Sequence, residues 1–351
     1  MVLLISLVGF VAYTLYSTGF FRSIQPAFEG EILKEIALNG AEDIMISRED
    51  SFVLISSTNR QIYPPQEEET GGLYLIDLSK GNDSLIHLTA DFDQSFAPHG
   101  ISCIRKDSGY QVMAISHTNA GHAIEVFELY EQELTHLRTM RHPSLVSPND
   151  LVLVAEDEFY VTNDHRYEKG IGRLAEDYAG WALSTVVYYA DGEYRKVADG
   201  IAYANGINFD PKRNLMYVAS ARGFLVNVYS RETDGSLTFI EDIDCKTGVD
   251  NIEFGEDGSL WIGAHPNLLR FNAYSKGKAA TAPSEIIRVR YDQKGSYMVD
   301  KIFIGTGERI SGCSVAAVFG DLIFVGNVMD KRMLVLRWDG QSSCCLEDQG
   351  E

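Results

Sequence analysis

Six residue pairs recur along the chain in one setting: Glu42-Asp43, His99-Gly100, Asn149-Asp150, Asn205-Gly206, Asp250-Asn251 and Cys313-Ser314. Each opens an apolar run that turns at glycine or an acidic residue and returns as a second apolar run. Successive starts lie 57, 50, 56, 45 and 63 residues apart. A single Asp or Asn commonly caps a turn. Recurrence of Glu42, Asn149, Asn205, Asp250 and Asn251 at equivalent places points instead to an oxygen cage. Such a cage suits calcium, which takes about six to eight oxygen ligands, better than zinc or copper. No HExxH, CxxC or EF-hand loop competes.

Histidines supply a second kind of chemistry. His99 sits in one of the pairs, and the second runs end in His117, Asn163-Asp164-His165 and His265. An imidazole beside a metal can take a proton from water, because its unperturbed pKa of about 6.5 lies close to neutral. His87, His122, His136 and His142 read as solvated or turn residues. Two other chemistries are missing: there is no G-x-S-x-G elbow, and GIGRLA from Gly170 lacks a third glycine and a βαβ setting.

What must position these groups is a β architecture. Runs such as SFVLISS, GLYLIDL, AIEVFEL and NLMYVAS alternate with Asp/Gly/Asn turns, and Gly172 to Leu183 has the best helical period. Spacings of 45 to 63 residues leave room for four strands per unit, the content of a propeller blade. The expectation is an all-β, six-bladed β-propeller whose inner strands bring the six pairs around one axis.

The first 21 residues carry no charge, which predicts an N-terminal membrane-inserted segment over 1–21. No basic n-region or A-x-A-like site accompanies it, favouring a retained signal anchor over a cleaved peptide. The propeller then covers 22–338 and a polar tail with Cys344 and Cys345 covers 339–351, with the catalytic domain on the lumenal or extracellular side. Asn82, in Asn-Asp-Ser, is the one glycosylation candidate. Net charge is −20, which repels phosphate backbones and excludes nucleic acid as a natural partner. With 45% hydrophobic and 23% charged residues, disorder and a many-span membrane protein are excluded as well.

With GAEDI, FAPHGIS, SHTNAGHAIEVFEL, NDLVLVAEDEFYVTNDH, VVYY, YANGIN, VDNIEF and LWIGAHPN in this order, the chain resembles the paraoxonase/arylesterase family of calcium-dependent lactonases, from about Gly40 to Arg337. The resemblance implies two calcium ions in the propeller tunnel. The catalytic ion would be held by Glu42, Asn149, Asn205, Asp250 and Asn251; the structural ion by Asp43, Asp150 and the Ile101 carbonyl. His99 and His117 match the family's histidine dyad, Asp164 and His265 match further active-site positions, and Tyr63 matches a mobile-loop tyrosine. A retained hydrophobic N-terminal helix in a secreted or membrane-associated protein is implied too. Two departures stand out: Glu31 lies where the family has the first cysteine of its disulfide, and Ala264 replaces a free cysteine.

The function expected is hydrolysis of lactones and aryl esters, with calcium polarising the carbonyl and His99, oriented by His117, activating water; Asp250 is the rival base. The alternatives are a gluconolactonase-type lactonase with a simpler metal site and a calcium-stabilised propeller that binds without turnover. A condensing enzyme like strictosidine synthase shares the six-bladed fold but needs no calcium, so the oxygen cage speaks against it.

Overall fold

In the computed structural model, which describes residues 2–61, 71–81 and 84–340, the body is six antiparallel sheets. Tyr63, Asn82, Cys344 and Cys345 lie outside the described residues. The six inner strands are Ala41–Ser47, Pro98–Arg105, Pro148–Ala155, Ala204–Asp210, Gly248–Phe254 and Cys313–Phe319. Each carries one of the predicted pairs, so the six-bladed propeller is found as expected.

Burial explains the sequence texture. Second strands are covered on both faces by neighbouring blades, and Phe52–Ser57 and Leu260–His265 are buried throughout. They therefore read as unbroken apolar or small runs. Outer strands face water on one side, and Glu133–Met140 opens with alternation. The core is a set of interblade clusters, such as Trp261, Ile286, Ile323 and Leu334 between blades 5 and 6.

Among the described residues the ring is closed by strand pairing. Gly30–Ala37 runs antiparallel to Arg332–Trp338, from Gly30 opposite Trp338 to Ala37 opposite Arg332, and becomes the outer strand of blade 6. Ala27–Phe28 adds a fifth strand to blade 5. Cys103, Cys245 and Cys313 are free thiols.

All six inner strands break register at the predicted pair: between Ala41 and Asp43, Pro98 and Ile101, Pro148 and Leu151, Ala204 and Ile207, Val249 and Ile252, and Cys313 and Ala316. A bulge leaves residues out of the ladder and re-aims side chains. The glycine in two pairs has a separate cause, the pressure of the next inner strand. A Cβ on Gly100 would stand 2.5 Å from Asp150 Cα, and one on Gly206 2.6 Å from Asn251 Cα. Gly206→Ala is expected to cost about 1–3 kcal/mol by overpacking and, by pushing Asn251, to lower activity more than the stability loss explains. Melting and kcat/KM on the variant check both.

Helix α1 (Val2–Ser17) docks by its C-terminal turn. Arg222 Nη1 donates to Ser17 O at 2.8 Å, Thr14 Oγ1 to Tyr178 O at 3.0 Å, and Leu268 N to Thr18 O at 3.0 Å. Gly19, at φ 71°, ends the turn where a Cβ would strike Pro266 O. Arg22 then forks onto the fully buried Glu285 at 2.8 and 2.5 Å. Among the described residues no helix is long and apolar enough to cross a membrane.

The period over Gly172 to Leu183 corresponds to α2 (Gly170–Leu174) and a wider π turn, Ala175–Ala179, stopped by Gly180 at φ 68°. Helix α3 (Leu268–Ser275) was not anticipated, although Asn267 caps it by accepting Arg270 N at 2.9 Å.

Candidate active site

The bulges deliver their side chains to one place. Glu42, Asn149, Asn205 and Asp250 line a single cavity of about 480 Å³ with His99 and His265. All four cage residues are at most 5% exposed. Asn251, equally buried, is tied to them through Nδ2, which donates to the Glu42 backbone oxygen and to Glu42 Oε1, both at 3.0 Å.

Four buried oxygens here lack a hydrogen-bond partner among the described residues: Glu42 Oε2, Asn149 Oδ1, Asn205 Oδ1 and Asn251 Oδ1. Each orphaned acceptor costs about 1–3 kcal/mol, a cost that a bound cation would offset. One carboxylate and three carboxamide oxygens, with Asp250 beside them, form a hard, all-oxygen set that fits calcium. Among the described residues no group of three or more His, Cys, Asp or Glu could hold a metal; here the carboxamides complete the set. Burial raises the Glu42 carboxyl above its ordinary range, opposed by the Arg60 charge and reinforced by Asp250 and Asp43.

Asp43 and Asp150 form a second pair that staples blades together. Asp43 accepts Ile44 N at 2.9 Å and Ile101 N at 2.8 Å; Asp150 accepts Leu151 N at 2.7 Å and Ile207 N at 2.8 Å. Burial raises both carboxyls, Asp43 against the pull of those backbone donors. Ile101 thus meets Asp43 through its N–H.

The histidines divide into two arrangements. His265 Nε2 lies 2.7 Å from Asp250 Oδ2, and its ring stacks on Phe271 at 3.9 Å. His99 Nδ1 faces Arg60 Nη2 at 3.2 Å. Arginine only donates, so that nitrogen accepts and the His99 proton sits on Nε2, 3.4 Å from Glu42 Oε1. Burial, then the Arg60 charge, hold the His99 pKa well below its usual value. His117 packs edge-on against His99 with centroids 5.1 Å apart, one layer behind the cavity wall.

Asp164 also stands behind the wall, where it accepts from Ser147 Oγ and meets His165 Nδ1 at 2.8 Å. His165 Nε2 in turn reaches Asp177 Oδ1 at 3.0 Å, and Asp177 does line the cavity.

A family model described as Arylesterase matches residues 24–335. The chain belongs to the arylesterase family. Human serum paraoxonase/arylesterase 1 is 34% identical over 271 residues, covering 75% of this chain and 76% of that protein. Chicken serum paraoxonase/arylesterase 2 is 32% identical over 305 residues, covering 84% and 85%. Membership in the arylesterase family makes the chain an enzyme of the esterase/lactonase class. Solved structures share the fold at low identity. A Xanthomonas campestris gluconolactonase aligns with TM-score 0.54 at 14% identity, covering 90% of this chain and 98% of that one. Regucalcin from Agrobacterium tumefaciens, described as a calcium-binding protein, aligns with TM-score 0.53 at 14% identity, covering 88% and 93%.

Several residues in and around this cavity escaped the sequence reading. Arg60, buried between the Gly40 and Pro98 carbonyls, carried no motif. Tyr203 lines the cavity at φ 62°, a left-handed conformation that a bulky residue keeps only when its surroundings enforce it. Its place just before Asn205 in YANGIN was the available signal. His122 needs correction: it is half-buried, with Nδ1 2.7 Å from His117 Nδ1, and the pairing of His117 with it was not legible in a turn-like segment. His136 likewise pairs with the buried Glu125 at 2.9 Å. His87 and His142 stack flat on Tyr74 and Tyr194.

Proposed function

We propose that this arylesterase-family chain is a calcium-dependent hydrolase of lactones and aryl esters, with Glu42, Asn149, Asn205, Asp250 and Asn251 holding the catalytic ion. Convergence of the four orphaned oxygens carries the reading. Asp43, Asp150 and the Ile101 carbonyl would hold a second, structural ion deeper in the tunnel. An ion held by Glu42, Asn149, Asn205, Asp250 and Asn251 would supply Lewis-acid polarisation of the ester carbonyl.

The chain's own groups divide the remaining work. Asp250 faces the cavity as a carboxylate whose Oδ2 is steadied by His265, leaving Oδ1 to orient or deprotonate water. His99 presents an N–H, because Arg60 occupies its other nitrogen, and so serves better as a donor to substrate than as a base. His117, with His122 behind it, positions His99. His99→Gln is therefore expected to lose less than about tenfold in kcat/KM on phenyl acetate, since glutamine keeps a donor there. A loss equal to that of an Asp250 variant would return the base role to the dyad.

Helix α1 supports a seat at a membrane surface. It is 16 residues, about 24 Å, and Leu7, Val8, Phe10 and Val11 are exposed ahead of its docked end. This apolar exposed end suits contact with a membrane, in keeping with a secretory or membrane-associated location.

The functional test is a pH-stat assay of the purified full chain with calcium against phenyl acetate and a panel of γ- and δ-lactones. Acid release from any of them is expected. Binding of esters without acid release would leave a binding propeller.

A further inference from the structure

We propose that the natural ester or lactone carries a second, anionic group, a carboxylate, which Arg173 and Lys276 hold at the cavity wall while the scissile carbonyl lies at the oxygen cage. The proposal rests on the hydrolase reading above. The cage end of the cavity contributes Glu42 and Asp250, whose charges a divalent ion offsets. The other Arg, Lys, Asp and Glu side chains on the wall are mainly basic: Arg173, Arg222 and Lys276 against the single carboxylate of Asp177.

These three cations are not equivalent. Arg222 is consumed, since its nitrogens donate to Ser17 and to the carbonyls of Asp177 and Tyr178. Arg173 uses only Nε, 3.3 Å from Asp177 Oδ1, and Asp177 is shared with His165. That leaves both terminal nitrogens of the guanidinium fork unclaimed among the described residues. Lys276, at the C-terminal cap of α3, is exposed and has no ion-pair partner among them.

Two unspent cations beside one cavity are notable on a chain with 30 basic and 50 acidic residues, where partners are plentiful. Leu268, Leu269, Phe271, Val328 and Met329 give the same cavity an apolar side for the hydrocarbon part of such a substrate, and Tyr178, Tyr203 and Asn272 add polar groups to it. A planar fork with a mobile ammonium matches a carboxylate. Hydrolysis then adds one water across the acyl C–O bond, giving a hydroxyl and a second carboxylate and releasing one proton.

The test compares a γ-lactone bearing a side-chain carboxylate with its methyl ester on the calcium-loaded full chain. Specificity kcat/KM is expected to favour the acid by about tenfold, the scale of one charge-assisted contact. Lys276→Glu and Arg173→Gln should each shrink that ratio at least about threefold, and 0.5 M salt should shrink it in the wild type. A wild-type ratio at or below one, or a ratio that neither substitution moves, overturns the proposal while leaving ester hydrolysis intact. If neither compound is hydrolysed, the hydrolase reading fails, and calorimetry on the same pair decides the anion site: tighter binding of the acid upholds it, equal binding overturns it.

Discussion

Asp250→Ala is expected to lower kcat/KM for phenyl acetate and for lactones by at least about a hundredfold, the scale seen when one preorganised electrostatic group is removed from an ester-hydrolysing site. Three features converge on this residue. Asp250 is 2% exposed, lines the cavity beside Glu42, Asn149 and Asn205, and anchors His265 Nε2 at 2.7 Å. Its loss removes a metal ligand and releases the imidazole at the same time. Asn205→Ala should fall comparably, because it deletes one of the four orphaned oxygens without touching any histidine. Both variants should fold, since neither side chain staples strands as Asp43 and Asp150 do. Circular dichroism and kcat/KM measured together check this. Wild-type turnover in a folded Asp250→Ala protein would remove the cage from the mechanism.

Calcium removal is expected to make stability fall with pH. In the metal-free chain burial raises the Glu42 carboxyl to about 8 and that of Asp43 to about 7. The folded state then binds more protons than the unfolded one. The stability these groups provide is complete below their ordinary values, 4.5 and 3.8, and is lost as pH rises through about 7 to 8. Calcium selects the deprotonated cage, so its stabilising effect grows over the same window; at a hundredfold excess over Kd a ligand contributes about 2.7 kcal/mol. Scanning calorimetry from pH 5 to 8 should show the melting temperature in EGTA dropping by several degrees while the calcium-loaded protein stays nearly level. Parallel curves with and without calcium would contradict this.

How far the sequence carries depends on whether a feature repeats. The six pairs were legible because each blade writes the same strand–turn–strand segment, and the bulge at every pair turns that repetition into a common point in space. The meeting of Glu42, Asn149, Asn205 and Asp250 at one cavity follows directly. Arg60, Arg173, Arg222 and Tyr203 occur once each, and their places are set by loops from different blades packing over the cavity. No local period announces such a meeting. His122 shows the same limit: a Gly-flanked histidine reads as a turn residue until the partner strand folds it onto His117. The docking of α1 depends on Arg222 and Glu285, more than 200 residues away in the chain. A run without charges reveals apolarity but not what holds its far end.

The most direct test is the initial rate of phenyl acetate hydrolysis by chelator-stripped full chain as free calcium is titrated back. The account predicts a rate near background in EGTA that rises and saturates with calcium, with a midpoint matching the calcium-induced rise in melting temperature. A full rate in excess EGTA, with the fold intact, would contradict it.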